Sequence, residues 1–227
     1  VAQNKFTDSS GNNNSASNTF SWTYDSTAPT ITGVTLASDN STITVTFSET
    51  VWNYDVNSSG SLEVTDFVFE LSGGTASLSS TTPSSISING TEYTLGISLS
   101  GTPNGSEILT VNPALDSIYD IVGNVASTSQ SNNSISLNDK LSPTMTISSS
   151  TVNSGETSND STISLTFTSS ESTTNFVKDD ITISSGSLSN LSGSGTTYTA
   201  TLTPSEDTTY TISVAQNKFT DSAGNNN

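Results

Sequence analysis

The chain has 227 residues and a net charge of −17 at pH 7, from 4 Lys against 21 acidic groups. With no Cys, His or Arg, it cannot be a disulfide scaffold, a zinc finger, a thiol enzyme or a His-based acid/base catalyst. It also lacks the clustered bases that displace counterions from nucleic acid. The length suits two domains of about 100 residues each. No apolar run is long enough for a membrane helix, so no membrane insertion is expected. No signal peptide is present and the chain begins with Val1, so it reads as a piece of a longer protein.

Ser and Thr number 48 and 39, a composition that disordered chains share. The apolar residues, however, are patterned. In chain order, Phe20-Ser21-Trp22-Thr23-Tyr24 alternates, then Thr42-Ile43-Thr44-Val45-Thr46-Phe47. Tyr93 to Leu99 and Ile163 to Phe167 follow in the same way. A period of two sends alternate side chains to core and water, with Thr on the wet face. No window carries a helical period, so the regular structure is expected to be β. Expected core positions in the first half are Ile31, Val34, Ile43, Val45, Phe47, Phe67, Phe69, Leu95, Ile97, Leu99, Leu109 and Val111. In the second they are Met145, Ile163, Leu165, Phe167, Ile181, Ile183, Tyr198, Leu202, Tyr210 and Ile212. Trp22 is read as core with its alternating neighbours.

Repeats organise the chain. Residues 1–14 and 214–227 agree at thirteen of fourteen positions, differing only at Ser10 and Ala223. The offset of 213 residues points to a parent protein with about that period. Inside it, STITVTFSET at 41–50 matches STISLTFTSS at 161–170, Gly90–Thr94 matches Gly195–Thr199, and Asp66–Phe69 matches Asp180–Ile183. The D-x-x-G-N motif stands at Asp8–Asn12, Asp120–Asn124 and Asp221–Asn225. Short strands, Gly/Asn/Ser turns and units of about 100 residues predict an all-β fold of two tandem immunoglobulin-like β-sandwiches in an elongated arrangement. The expected units are 1–26, a terminal strand segment completing a preceding domain; 27–139, the first sandwich; and 140–227, the second, lacking its last strand. In the first sandwich that strand is Asn133–Asn138. Its counterpart is Asn18–Asp25. Residues 15–25 are therefore expected to complete the second sandwich of a neighbouring copy, head to tail.

The D-x-x-G-N loop, a strand, then DSTAPT at 25–30 resembles the junction of tandem bacterial Ig-like repeats. The 30–125 stretch, with VTFSETV and GISLSGTPNGSEILTVNP, is similar to repeats of long cell-surface proteins of cyanobacteria and marine bacteria. The 141–227 stretch resembles a second Ig-like repeat type. The resemblance implies an extracellular or cell-surface spacer, stalk or adhesive array of a giant protein, not an enzyme. It also implies calcium at the junctions, held by hard oxygen ligands. The expected groups are Asp8, Asn12 and Asp25; Asp120, Asn124 and Asp139; and Asp221 with Asn225, completed by a following repeat. Asp and Asn also serve as plain turn formers. Asp179-Asp180 reads as a solvated loop. The alternative function is a ligand-binding adhesin module for a cell-surface glycan or ice, through Trp52 or the Thr42/Thr44/Thr46 face. Eight Asn-x-Ser/Thr sequons, including Asn57, are what chance gives in so Ser/Thr-rich a chain.

Overall fold

The computed structural model describes residues 1–54 and 59–227; the sequon at Asn57 lies outside them. Strands β1 (Ile31–Leu36) and β2 (Thr42–Phe47) form an antiparallel hairpin with Val34 opposite Val45. The other edge of β2 takes β6 (Glu92–Gly96), which in turn pairs with β5 (Ile86–Asn89). The alternation in β2 works as read. Ile43, Val45 and Phe47 are buried, while the hydroxyls of Thr44 and Thr94 share a 2.9 Å hydrogen bond across the ladder. A second sheet runs β3 (Phe67–Ser72), β8 (Ile108–Pro113), β9 (Ser134–Ser136). Short β4 (Ser77–Leu78) and β7 (Leu99–Ser100) pair separately. The Tyr93–Leu99 run therefore splits. The chain leaves the ladder at Gly96, where a Cβ would stand 2.4 Å from Ser84 Oγ, and rejoins a different strand.

Side chains of both larger sheets fill one cluster. Ile31, Ile43, Val45 and Leu95 come from one side, and Phe67, Phe69, Leu109 and Val111 from the other. Phe47, Phe67 and Tyr93 meet with ring centroids 5.6–6.3 Å apart. Every position expected in this half lies in the cluster or packs against it. Tyr93, Leu62, Ile118 and Leu137 join it unannounced.

The second half repeats the scheme. Strands β10 (Met145–Ser149), β11 (Ile163–Thr173) and β13 (Ser187–Thr203) form one sheet; β12 (Ile181–Ile183) and β14 (Ile212–Val214) form another. β13 doubles back around Gly193 and Gly195. The hydroxyls of Ser192 and Thr199 lie 3.4 Å apart, and a Cβ on Gly193 would stand 2.3 Å from Thr197 O. Its two arms take the places of β5 and β6. Here the buried cluster contains Ile163, Leu165, Phe167, Phe176, Tyr198, Leu202 and Phe219, and it shares no residue with the first. Phe176 touches Phe167, Tyr198 and Phe219 at 5.1–5.6 Å. The expected Met145, Ile181, Ile183, Tyr210 and Ile212 are only partly buried.

Two short 3₁₀ turns, Val64–Asp66 and Lys178–Asp180, lead into β3 and β12. In each, the last Asp reaches back to cap the chain. Glu63 N donates to Asp66 Oδ2 at 2.7 Å, and Val177 N to Asp180 Oδ2 at 2.8 Å. Asp180 is buried, so it is a structural cap and not part of a solvated loop.

Residues 1–30 hold no ladder strand. The Phe20–Tyr24 run forms no strand. Phe20, Trp22 and Tyr24 are 85%, 71% and 74% exposed, so Trp22 is not core within its own chain. Its ring meets that of Tyr24, edge-on at 6.1 Å. Periodicity sets which way side chains face, but a strand also needs an edge to pair with.

Candidate metal centre

The D-x-x-G-N motif is a loop that closes on itself. In the copy at Asp120, the backbone N–H groups of Val122 and Asn124 donate to Asp120 Oδ1 at 2.9 and 2.7 Å. The Asn124 amide donates to Oδ2 at 2.7 Å. Gly123 supplies the left-handed φ of 92° that lets the chain turn. Asp8–Asn12 and Asp221–Asn225 repeat this closure, with Asn amides 2.9 and 2.8 Å from the carboxylate. For Asp8 the Asn12 amide chiefly holds the acid below its usual range. Burial opposes the charges of Asp120 and Asp221, but the amide donors outweigh it and both acids are also lowered. Turn closure thus accounts for the Asp and Asn of the motif at all three places.

What the loops meet differs from the sequence pairing. Asp139 lies with Asp221, not with Asp120. One carboxylate oxygen from each of Asp139, Glu171 and Asp221 lies within 4.8 Å of the others. Asp25 is in turn drawn to the Asp120 loop. The Asn124 amide reaches Asp25 O and Thr27 O at 3.4 Å, and Glu49 feels the charges of Asp120 and Asp25. Asp8 bonds within its own loop. The pairing is shifted by one loop because a linker enters each unit at the pole where that unit's own motif returns. Sequence reading missed Glu171, which completes the Asp139 and Asp221 cluster, and Glu49, which is close enough to Asp120 and Asp25 to feel their charges. Glu49 lies two residues past Phe47 and Glu171 four past Phe167, inside β11, so the internal repeat does not align them and gave no signal for either.

The electrostatics of the clusters favour a cation or a proton. Burial and then Asp139 and Asp221 raise the Glu171 carboxyl. Burial and then Asp120 and Asp25 raise Glu49. Among the described residues, no N–H or hydroxyl donor reaches the buried Glu171 Oε2. Two oxygens bound to one divalent ion at ~2.4 Å lie no more than about 4.8 Å apart, so the three carboxylates are near enough to share such an ion.

Asp139 is also anchored from the preceding half. Lys140 N donates to Pro103 O at 2.8 Å, and Asp139 Oδ1 accepts from Leu141 N at 2.9 Å. Just upstream, Asn138 N donates to Asn40 Oδ1 and Asn40 Nδ2 to Asn138 O, at 2.9 and 2.8 Å. The two neighbours of Asp139 are thus tied to one half while its carboxylate joins acids of the other.

Among the described residues most acidic groups sit in turns and loops, with Glu70 and Glu171 inside strands, and the chain has neither a His nor a thiol. No helix is long and apolar enough to cross a membrane among the described residues. Apart from two short 3₁₀ turns, the regular structure of the described residues is all β. Residues 139–227 match the family model of a bacterial Ig-like domain, and such a domain is present over that part of the chain. No curated protein and no solved structure matches the chain.

Proposed function

We propose that the chain is a structural segment of an extracellular bacterial surface or fibre protein. It acts as a spacer of two tandem Ig-like β-sandwiches, 27–139 and 140–227, in an elongated arrangement. Residues 1–26 serve a preceding domain. Calcium at Asp139/Glu171/Asp221, and at Asp25/Glu49/Asp120, stiffens the joints, and copies lie head to tail. The observation that carries this reading is the double tie of Asp139, held to the 101–106 loop by the Lys140–Pro103 bond while its carboxylate joins Glu171 and Asp221. An ion there fixes the angle between units that small interfaces otherwise leave free. The acidic, hydroxyl-rich surface keeps a long array soluble.

The test is small-angle scattering and thermal melting of the 227-residue chain in calcium and in chelator. Calcium is expected to lengthen the particle, narrow its size distribution and raise the melting temperature. Identical curves in both conditions overturn the joint reading. The exposed Trp22–Tyr24 pair favours a second reading, a glycan-binding module that stacks sugars on aromatic faces. Specific glycan-array signal from the same chain, lost in Trp22→Ala, would select it.

A further inference from the structure

The two halves share a plan, and their difference lies at one sheet edge. Asp66 and Asp180 make the same cap ahead of β3 and β12. Phe69 and Ile183 hold matching places after it. Phe69 pairs with Val111, and Ile183 with Ile212. Val111 and Ile212 are therefore equivalent. On its far side Val111 is covered by the segment leading into β9: its N–H donates to Asn133 O, and the Asn133 amide donates back to Val111 O, each at 2.9 Å. Among the described residues, β14 has only β12 as ladder partner. The bond from Ser184 N to Thr211 O sets the phase, so Thr211 and Ser213 face β12 while Ile212 and Val214 aim their backbone groups at the open edge. The apolar face shows the same difference. Phe69 and Val111 are fully buried, whereas Ile183 and Ile212 are partly exposed.

We propose that residues 18–24 of one copy add as an antiparallel strand to this edge of β14 in a second copy. The proposal rests on the two-sandwich reading and specifies its partner. Asn18-Thr19-Phe20-Ser21-Trp22 carries the pattern of Asn133-Ser134-Ile135-Ser136-Leu137: amide, hydroxyl, apolar, hydroxyl, apolar. Like β9, it follows a D-x-x-G-N loop. Its aromatic side chains are exposed, and residues 18–24 form no ladder. Residues 15–24 carry no charge, so they approach an acidic surface without repulsion. The first half fixes the register. Asn18 takes the place of Asn133 beside Ile212, and Phe20 that of Ile135 beside Tyr210. Thr19 faces Thr211 as Ser134 faces Thr110, whose hydroxyls are 2.8 Å apart.

The chain has no Cys, so the register can be read by crosslinking. A Thr19→Cys chain is mixed with a Thr211→Cys chain under mild oxidation. A disulfide heterodimer is expected, with Trp22 emission moving to the blue. It is expected to be much weaker when Ser213→Cys replaces Thr211→Cys, which tests a shift of two residues. It is expected to be lost when Phe20→Ser and Trp22→Ser are added to the donor. Those two side chains are exposed, so an unchanged circular dichroism melt certifies that donor's fold. Equal crosslinking at Ser213, a dimer that survives the double substitution, or no dimer at any concentration each overturns the proposal. The calcium effect on a single chain is read separately and stands or falls on its own.

Discussion

Phe219 and Phe6 occupy the same place in the same fourteen-residue loop, yet one is 1% exposed and the other 61%. The loop itself is unchanged. Asn227 Oδ1 accepts from Lys218 and Phe219 N–H at 2.8 and 3.0 Å, and Asn14 Oδ1 from Lys5 and Phe6 at 2.7 and 3.0 Å. What differs is the aromatic cluster around Phe176, which only Phe219 reaches. Phe219→Ala should therefore cost about 3–5 kcal/mol by cavity formation, and Phe6→Ala close to nothing in the isolated chain. Urea denaturation of both variants checks the contrast.

Glu171 sits half-buried against two other carboxylates. Without divalent ions this is repulsive, so Glu171→Gln should raise the melting temperature in chelator. The same variant should lose most of the increment that calcium gives the parent. A melt in each condition reads both signs, and Glu49→Gln should behave alike at the other pole.

Acidity separates two kinds of carboxyl. Burial works against Glu107, but N–H donors from Ala76 and Thr75, then Asn104, hold its acid below the ordinary value of 4.5. Its stabilising contribution is complete above that value and is lost as pH falls through the lower folded one. Glu49 and Glu171 have raised folded values, so their contribution is complete below 4.5 and lost as pH rises through those values. Without calcium, stability should therefore fall on the alkaline side of 4.5 and again at stronger acid. Glu107→Gln should remove part of the acid limb only. Melting temperature against pH tests both.

Gly74 has φ +61°, and a Cβ there would stand 2.1 Å from the Glu107 carboxyl group. Gly90 has φ +63° with open space around it. Gly90→Ala should cost about 1 kcal/mol for the left-handed backbone alone. Gly74→Ala should cost clearly more, since it also displaces the buried anchor of the 73–76 and 101–106 loops. Chemical denaturation ranks the pair.

The strands of both halves could be read from sequence because Thr and Ser marked one face so regularly, and Ile43, Val45, Leu165 and Phe167 lie where the period put them. The same rule failed at Phe20–Tyr24, where alternation had no edge to act on. Asp139 and Asp221 were recognisable from the motif and the linker. Their pairing was not, because it depends on which pole the chain returns to after a full set of strands. Glu171 carried no local motif. Glu107 carried no motif either, and only the folded loops aim three N–H groups at it.

The self-closing Asp–Gly–Asn turn makes the loop at 1–14 a cassette that holds its shape with or without a core beneath it. Genetic duplication or loss joined at such a point leaves the local backbone intact on both sides. An array built on these turns can therefore change its number of units without first acquiring compensating substitutions at the seams.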